Sequence, residues 1–418
     1  MTDLQSTCLD AIAREALEIA VNPNYAALQP YGVRQSAVMN RAAFEVARAE
    51  IAGWRGYRPT PLIALPGLAK RLGLGEIRYK DESGRFGLGS FKALGGAYAV
   101  LRLLKHRIAE SSATLPSTAA ILEGEQADLV SDTTVCCATD GNHGRSVAWG
   151  AQTFGCRCVI FVHATVSQGR VDAIARYGAE VRRVPGTYDE AVREAARQAE
   201  AEGWTVVSDT SYPGYLEIPR DVMQGYALMA EEALTQCGTS LPTHVLVQAG
   251  VGGMAAAICA HLWETLETRR PSFIAVEPDR AACLLASVRN GQASHVEGAL
   301  DTIMAGLACG ETSLLAWDIL DEGARAFMTV TDSAAREAMR LLAEGCDGDP
   351  PLVAGESAVA GLCATVGALA RPAVRESLGL GPDSRVLLFG SEGDTDPSLY
   401  SEIVGRSGDD VRHAVSAG

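Results

Sequence analysis

The chain has 418 residues, 47% of them hydrophobic and 21% charged, an ordinary globular composition that excludes a mostly disordered or collagen-like chain and leaves room for two or three domains. With 51 Asp and Glu against 36 Lys and Arg, the net charge is −15, which repels polyanions and sets nucleic acid aside as a partner. No apolar run approaches the roughly 18 residues of a membrane span, and the first twenty residues lack the basic-then-apolar order of a secretory signal, so a cytoplasmic protein with no membrane partner is expected.

Val- and Ile-rich runs alternate with amphipathic stretches along most of the chain, the pattern of an α/β protein with parallel sheets covered by helices. In chain order, the first segment that carries chemistry is YKDESGRFGLGSFKALGG over 79–96, where Lys92 follows a glycine-rich turn and opens a helix. The positive end of a helix dipole favours the neutral, nucleophilic form of such an amine; read alone, the same lysine also fits a solvated charge. Residues 106–132 are polar, acidic and interrupted by a proline, and are expected to form a surface excursion without chemistry. A strand is expected over 134–138 and a helix over 144–154. Between them Thr139-Asp140-Gly141-Asn142-His143-Gly144 stands where open parallel sheets bind ligands and where helix-start N–H groups attract an anion. Asp140 and Asn142 would equally serve as helix caps.

Strands over 158–162, 181–184 and 205–207 alternate with helices over 171–177 and 188–201, and further helices are expected over 218–235 and 254–266. The strand over 244–248 runs into Gly250-Val251-Gly252-Gly253, a nest of N–H groups suited to a phosphate. With Ala255 this stretch matches G-x-G-x-x-A, and with Glu277 after the strand over 273–276 it also suits a dinucleotide-binding unit. After the strand over 385–389, Ser391 in LLFGSEGDTD faces either a ligand or a polar turn. Residues 407–418 are expected to fray. The 11 cysteines are scattered, with Cys136 and Cys137 adjacent, and fit neither a disulfide framework nor paired CxxC zinc spacing. Reduced thiols at core positions are expected, and no metal site.

Taken together, SFKALGG, TDGNHG, QAGVGG, GESA over 355–358 and SEGDTD resemble, in order and spacing, the fold type II pyridoxal-phosphate enzymes, the group of threonine dehydratase and tryptophan synthase β. RFGLxxFKxLGG, ATDGNHGR, VVxDTxxxGY, MQGY over 223–226 and GLACGE carry the resemblance on to the diaminopropionate ammonia-lyase family, over about residues 22–400. It implies two open, twisted, mostly parallel sheets flanked by helices, with a small domain (93–207) inserted in a larger one (1–92 and 208–418), a cofactor site at their interface, and a homodimer. It further implies pyridoxal 5′-phosphate bound covalently by Lys92 and flanked by Phe91, with Gly250, Val251, Gly252 and Gly253 on the phosphate. Asn142 would meet the phenolic oxygen and Ser391 the ring nitrogen. A neutral serine at that nitrogen leaves it unprotonated, a weaker electron sink that suits elimination over transamination.

The same resemblance makes Lys92, Asp140 and Asp209 catalytic, and brings Thr139, Asp140, Gly141, His143 and Asp209 to an amino-acid substrate. Most relatives in the wider group place a small neutral residue at the Asp140 position, and its charge suits the extra ammonium of 2,3-diaminopropionate. Asp140 could instead remove the α-proton of one enantiomer while Lys92 serves the other. Asp209 could also be a helix or turn cap. The implied reaction is α,β-elimination of D- and/or L-diaminopropionate to pyruvate and two ammonia, the β-nitrogen leaving protonated. Gly89-Ser90, where the family shows Asn-Ala, lies closer to the dehydratases. Rival readings are therefore a pyridoxal-phosphate dehydratase of serine, threonine or hydroxyaspartate, a nicotinamide-dinucleotide oxidoreductase, and a catalytically silent amino-acid sensor. Cys283 and Cys309 are the thiols expected to border the site, and Glu356 is expected to cap a helix or line the cofactor edge.

Overall fold

The computed structural model describes residues 4–112, 114–139 and 141–416. Its strands are β1 (Ile19–Val21), β2 (Leu62–Ala64), β3 (Glu76–Asp81), β4 (Thr134–Ala138), β5 (Arg157–His163), β6 (Glu180–Val184), β7 (Thr205–Val206), β8 (His244–Gln248), β9 (Ser272–Pro278), β10 (Ala326–Val330) and β11 (Arg385–Gly390). One sheet has the order β1-β10-β9-β8-β11-β3-β2. Its five central strands run parallel, and the short strands β1 and β2 close its edges antiparallel. The other sheet, β6-β5-β4-β7, is parallel throughout.

The larger sheet belongs to a compact unit of Met1–Arg41, Pro59–Ser90 and Met229–Gly418, and the smaller to a unit of Ala42–Arg58 and Phe91–Leu228. The second unit is wider than the expected 93–207, because it takes in Ala42–Arg58 and the first turns of the helix Glu217–Cys237. In the first unit, β8 is buried along its whole length, as a strand covered on both faces must be. The helix Ala360–Leu369 packs on it so closely that a Cβ at Gly361 would lie 2.6 Å from the Leu246 carbonyl oxygen. In the second unit, Cys136, Val159 and Phe161 of the sheet pack against Ala191, Ala195 and Ala199 of the helix Tyr188–Glu202.

The described residues of 106–132 lie mostly at the surface and carry helix: Ala93–Ser112 runs on through their first part, and the short helices Thr118–Leu122 and Ala127–Asp132 follow, the first capped by Ser117, whose side chain accepts the Ala120 N–H. One expectation needs correction: residues 408–416, expected to fray, form the helix Gly408–Ser416, held by a reciprocal cap. There the Ser407 N–H donates to Asp410 Oδ2 at 3.2 Å and the Asp410 N–H to Ser407 Oγ at 3.1 Å, a pairing that satisfies helix-start donors at both ends. Val411 buries itself on the core and Arg412 pairs with Asp394. Strands β1, β2, β3 and β10 were not among those expected. Among the described residues no helix is long and apolar enough to cross a membrane, no His, Cys, Asp and Glu group could hold a metal ion, and no disulfide joins two cysteines.

Candidate active site

In the second unit, Lys92 stands immediately before the helix Ala93–Ser112, its carbonyl accepting the N–H groups of Gly95 and Gly96. That helix packs tightly: a Cβ at Gly96 would lie 2.0 Å from Ser146 Oγ, and one at Gly95 2.4 Å from the Tyr226 ring. The Lys92 Nζ lies 2.5 Å from Asp209 Oδ2, with the Phe91 and Tyr226 ring centres 5.2 and 5.7 Å away. Those two rings meet edge to face at 4.7 Å. The helix-start field expected to favour a neutral amine is thus countered by a carboxylate in direct contact. Burial would push the Asp209 carboxyl up, but the charges of Lys92 and His143 and the hydrogen bond from Lys92 outweigh it and hold the group well below the usual carboxylate range.

His143 is buried, its Nε2 donating to the Val207 carbonyl at 2.8 Å while Nδ1 lies 3.8 Å from Asp209 Oδ2. Burial lowers its pKa, the Asp209 charge opposes and the Lys92 charge adds to the fall. Asn142 opens the helix Asn142–Phe154, and Arg145 Nη2 donates to its Oδ1 at 2.5 Å. Thr139 Oγ1 accepts the N–H groups of Gly141 and Gly144 at 3.0 and 3.1 Å, so the hydroxyl expected at the substrate braces the loop. Asp140 lies outside the described residues. Asp209 is brought to Lys92 by the stretch after β7, where the Tyr215 hydroxyl donates to the Val206 carbonyl and accepts the Ser208 N–H, each at 2.9 Å.

In the first unit, β8 ends at Gln248, and Gly250, Val251 and Gly252 turn into the helix Gly253–Leu266. Among the described residues no acceptor takes the N–H groups of Gly250, Val251, Gly252 or Gly253, which leaves an anion nest open at a helix start. Gly252 has φ +100°, and a Cβ there would lie 2.9 Å from that of Ala316; only glycine suits both demands. Cys283 Sγ contacts the Gly250 carbonyl at 3.6 Å, and a Cβ at Gly250 would come within 3.2 Å of Cys309 Sγ, so both thiols do border this turn. Burial, then the nearby Glu277, pushes the Cys283 thiol well up, away from the reactive thiolate.

Glu277 corrects the dinucleotide reading. It is fully buried, and its two carboxyl oxygens accept the Leu284 and Leu285 N–H groups at 2.7 and 2.8 Å, so it holds the following helix and presents no oxygen at the surface to a ribose. Glu356 is buried in a turn before the helix Ala360–Leu369 and does not cap it. Ser391 follows β11, is buried, and accepts from Gln248 Nε2 at 2.7 Å. Its neighbour Glu392 accepts the Ser357 N–H, tying SEGDTD to GESA. Arg145, Gln248 and Tyr215 were missed as site residues. Arg145 sits three positions after Asn142 on one helix face and Gln248 is a polar residue ending an apolar strand, so both carried a usable signal.

The first unit carries an open glycine anion nest and a buried serine at its strand ends and the second a lysine in contact with a carboxylate, groups of the kinds a pyridoxal-phosphate enzyme needs. The sequence profile of the family described as pyridoxal-phosphate dependent enzyme matches residues 54–390. A diaminopropionate ammonia-lyase from Escherichia coli (strain K12) is 42% identical over 370 residues, covering 86% of this chain and 90% of that protein. The crystal structure of the selenomethionine-incorporated holo enzyme of that name from Escherichia coli superposes with a TM-score of 0.85 at 39% identity, covering 93% of this chain and 97% of that one. Its complex with an aminoacrylate-PLP azomethine reaction intermediate gives 0.83 at the same identity and coverage. The chain belongs to the pyridoxal-phosphate dependent enzymes and, within them, to the diaminopropionate ammonia-lyase family.

Proposed function

We propose that this protein eliminates ammonia from D- and/or L-2,3-diaminopropionate, yielding pyruvate and two ammonia. The observation that carries the reading is the 2.5 Å contact between Lys92 Nζ and Asp209 Oδ2: a carboxylate kept ionised beside the reacting amine is a ready partner for a cationic substrate. The residues present fit pyridoxal phosphate, with Lys92 to hold the aldehyde, the open N–H groups of Gly250, Val251, Gly252 and Gly253 the phosphate, Asn142 the phenolic oxygen and Ser391 the ring nitrogen. When bound, the cofactor supplies a conjugated electron sink for the charge left on Cα.

The protein's own groups do the rest. Lys92 Nζ removes the α-proton and keeps it, and the β-nitrogen, already an ammonium, leaves as neutral ammonia as the Cβ–N bond breaks. Asp209 holds the substrate ammonium by the charge it shares with Lys92 in the resting site. Asp140 adds a second negative charge or serves as base for one enantiomer, and His143, tied to the Val207 carbonyl, positions the loop. Family resemblance supports a cytoplasmic homodimer.

Release of pyruvate and ammonia from D- and L-diaminopropionate, D- and L-serine, threonine and hydroxyaspartate tests the reading. Two ammonia per pyruvate from diaminopropionate is expected. A hydrogen bond to a charged group is worth about 1.5–3 kcal/mol, so Asp209→Asn should lower kcat/KM for diaminopropionate by about 10- to 100-fold relative to serine. Equal losses for both substrates would refute the role given to Asp209.

A further inference from the structure

Gln248 is the last residue of β8, 1% exposed. Its Nε2 donates twice, to the Phe389 carbonyl at 2.8 Å and to Ser391 Oγ at 2.7 Å. An amide carries its donors on nitrogen and its lone pairs on oxygen. Turned the other way, Gln248 would set its Oε1 against the Phe389 carbonyl oxygen, acceptor facing acceptor. A backbone carbonyl of β11 therefore fixes Gln248 as the donor toward Ser391.

A serine hydroxyl has a single proton. Its oxygen already accepts from Gln248, so the proton points away from the amide, and no described residue accepts it. Gln248 Oε1 is buried and has no partner among the described residues. Buried polar atoms are seldom left unmade, so the amide is not placed to satisfy itself. What the arrangement leaves is a serine whose proton has no acceptor among the described residues and is free to be given to a ligand.

We propose that Gln248 is a positioning residue that turns the Ser391 proton away from the protein and toward the ligand, so that the site favours the unprotonated form of a pyridine nitrogen. The inference rests on the reading that Ser391 meets the ring nitrogen of pyridoxal phosphate. A group accepting from Ser391 in place of Gln248 would turn a serine lone pair toward the ring and favour the protonated nitrogen.

The test is the ring-nitrogen NMR resonance of the full-length protein loaded with ¹⁵N-labelled pyridoxal phosphate, in the wild type, Gln248→Glu and Gln248→Met, with thermal unfolding as the control for folding. The wild type should show the unprotonated resonance. Gln248→Glu should move it toward the protonated position, and Gln248→Met, which leaves the hydroxyl free to turn, should move it part of the way. If Gln248→Glu does not fold, Gln248→Met carries the test. A resonance unmoved in whichever variants fold overturns the inference alone. A wild-type protein that takes up no cofactor overturns it together with the function proposed above.

Discussion

Gly96→Ala tests the packing beneath Lys92. A Cβ at Gly96 would lie 2.0 Å from Ser146 Oγ, but 3.2 Å from Ser146 Cβ and 3.4 Å from Val147 Cγ2, so the hydroxyl is the obstacle. Ser146 Oγ donates to the His143 carbonyl at 2.8 Å. Turning it aside loses that bond, about 0.5–1.5 kcal/mol, and leaving it in place overpacks the helix contact at a cost of about 1–3 kcal/mol. Alanine in place of glycine within a helix returns up to about 1 kcal/mol. The single variant should therefore lose up to about 2 kcal/mol. In a Ser146→Ala background the obstacle is gone, and the same change should gain up to about 1 kcal/mol. The coupling between the two sites is then about 1–3 kcal/mol, measurable by urea unfolding of the four proteins. Equal effects of Gly96→Ala in both backgrounds would refute the geometry that sets the helix after Lys92 against the helix begun by Asn142.

Glu277→Gln should change how stability varies with pH. Burial raises the Glu277 carboxyl from its ordinary 4.5 to about 8, against the hydrogen bonds from the Leu284 and Leu285 N–H groups. Between those values the folded protein binds more protons than the unfolded, so the group's contribution is complete below 4.5 and is lost as pH rises through about 8. The wild type should fall relative to the variant by up to about 1.4 kcal/mol per pH unit in that window, and parallel urea-unfolding profiles would refute it. Tyr215→Phe removes the hydroxyl that bridges the Val206 carbonyl and the Ser208 N–H, two bonds of about 0.5–1.5 kcal/mol each. Stability should fall by about 1–3 kcal/mol and ammonia release by at least about tenfold as Asp209 loses its setting; unchanged turnover would show that Tyr215 does not position it.

The parallel strands of both sheets are legible where they are short apolar runs bounded by turns, as β4, β5, β8, β9 and β11 are. β3 is not, because Arg78, Lys80 and Asp81 break its pattern. Lys80 is buried only because Glu232, 152 residues further along, places a carboxylate 2.7 Å from its Nζ, and no local period reports such a partner. β1 and β2, three residues each, are too short to show a period at all. The final helix is legible in Ser407-x-x-Asp410, a cap written in the sequence. At the site, Lys92, Asn142, Ser391 and the glycine turn are legible because each stands at a strand end or helix start. The turn itself is ambiguous between two phosphate ligands until the burial of Glu277 decides it. The contact of Lys92 with Asp209 spans 117 residues, and only folding supplies it.

Three polar groups of the site have one face already committed. Asn142 Oδ1 takes Arg145, Ser391 Oγ takes Gln248, and Asp209 Oδ2 takes Lys92. Each commitment sets the kind of interaction left over. An amide whose oxygen is held by a guanidinium turns its N–H donors elsewhere, a hydroxyl that accepts from an amide keeps its proton for another partner, and a carboxylate with one oxygen on an ammonium keeps the other as an acceptor. Under the function proposed above, the two donors would suit the electron-rich phenolic oxygen and ring nitrogen of the cofactor, and the anion a cation. Dipoles fixed before the ligand arrives need no reorganisation as charge develops. A dehydratase acting on serine would have little use for the remaining carboxylate oxygen, because its leaving hydroxyl carries no positive charge in the ground state. A second ammonium on the substrate does use it, and for that reason the arrangement favours a diamino acid over a hydroxy one.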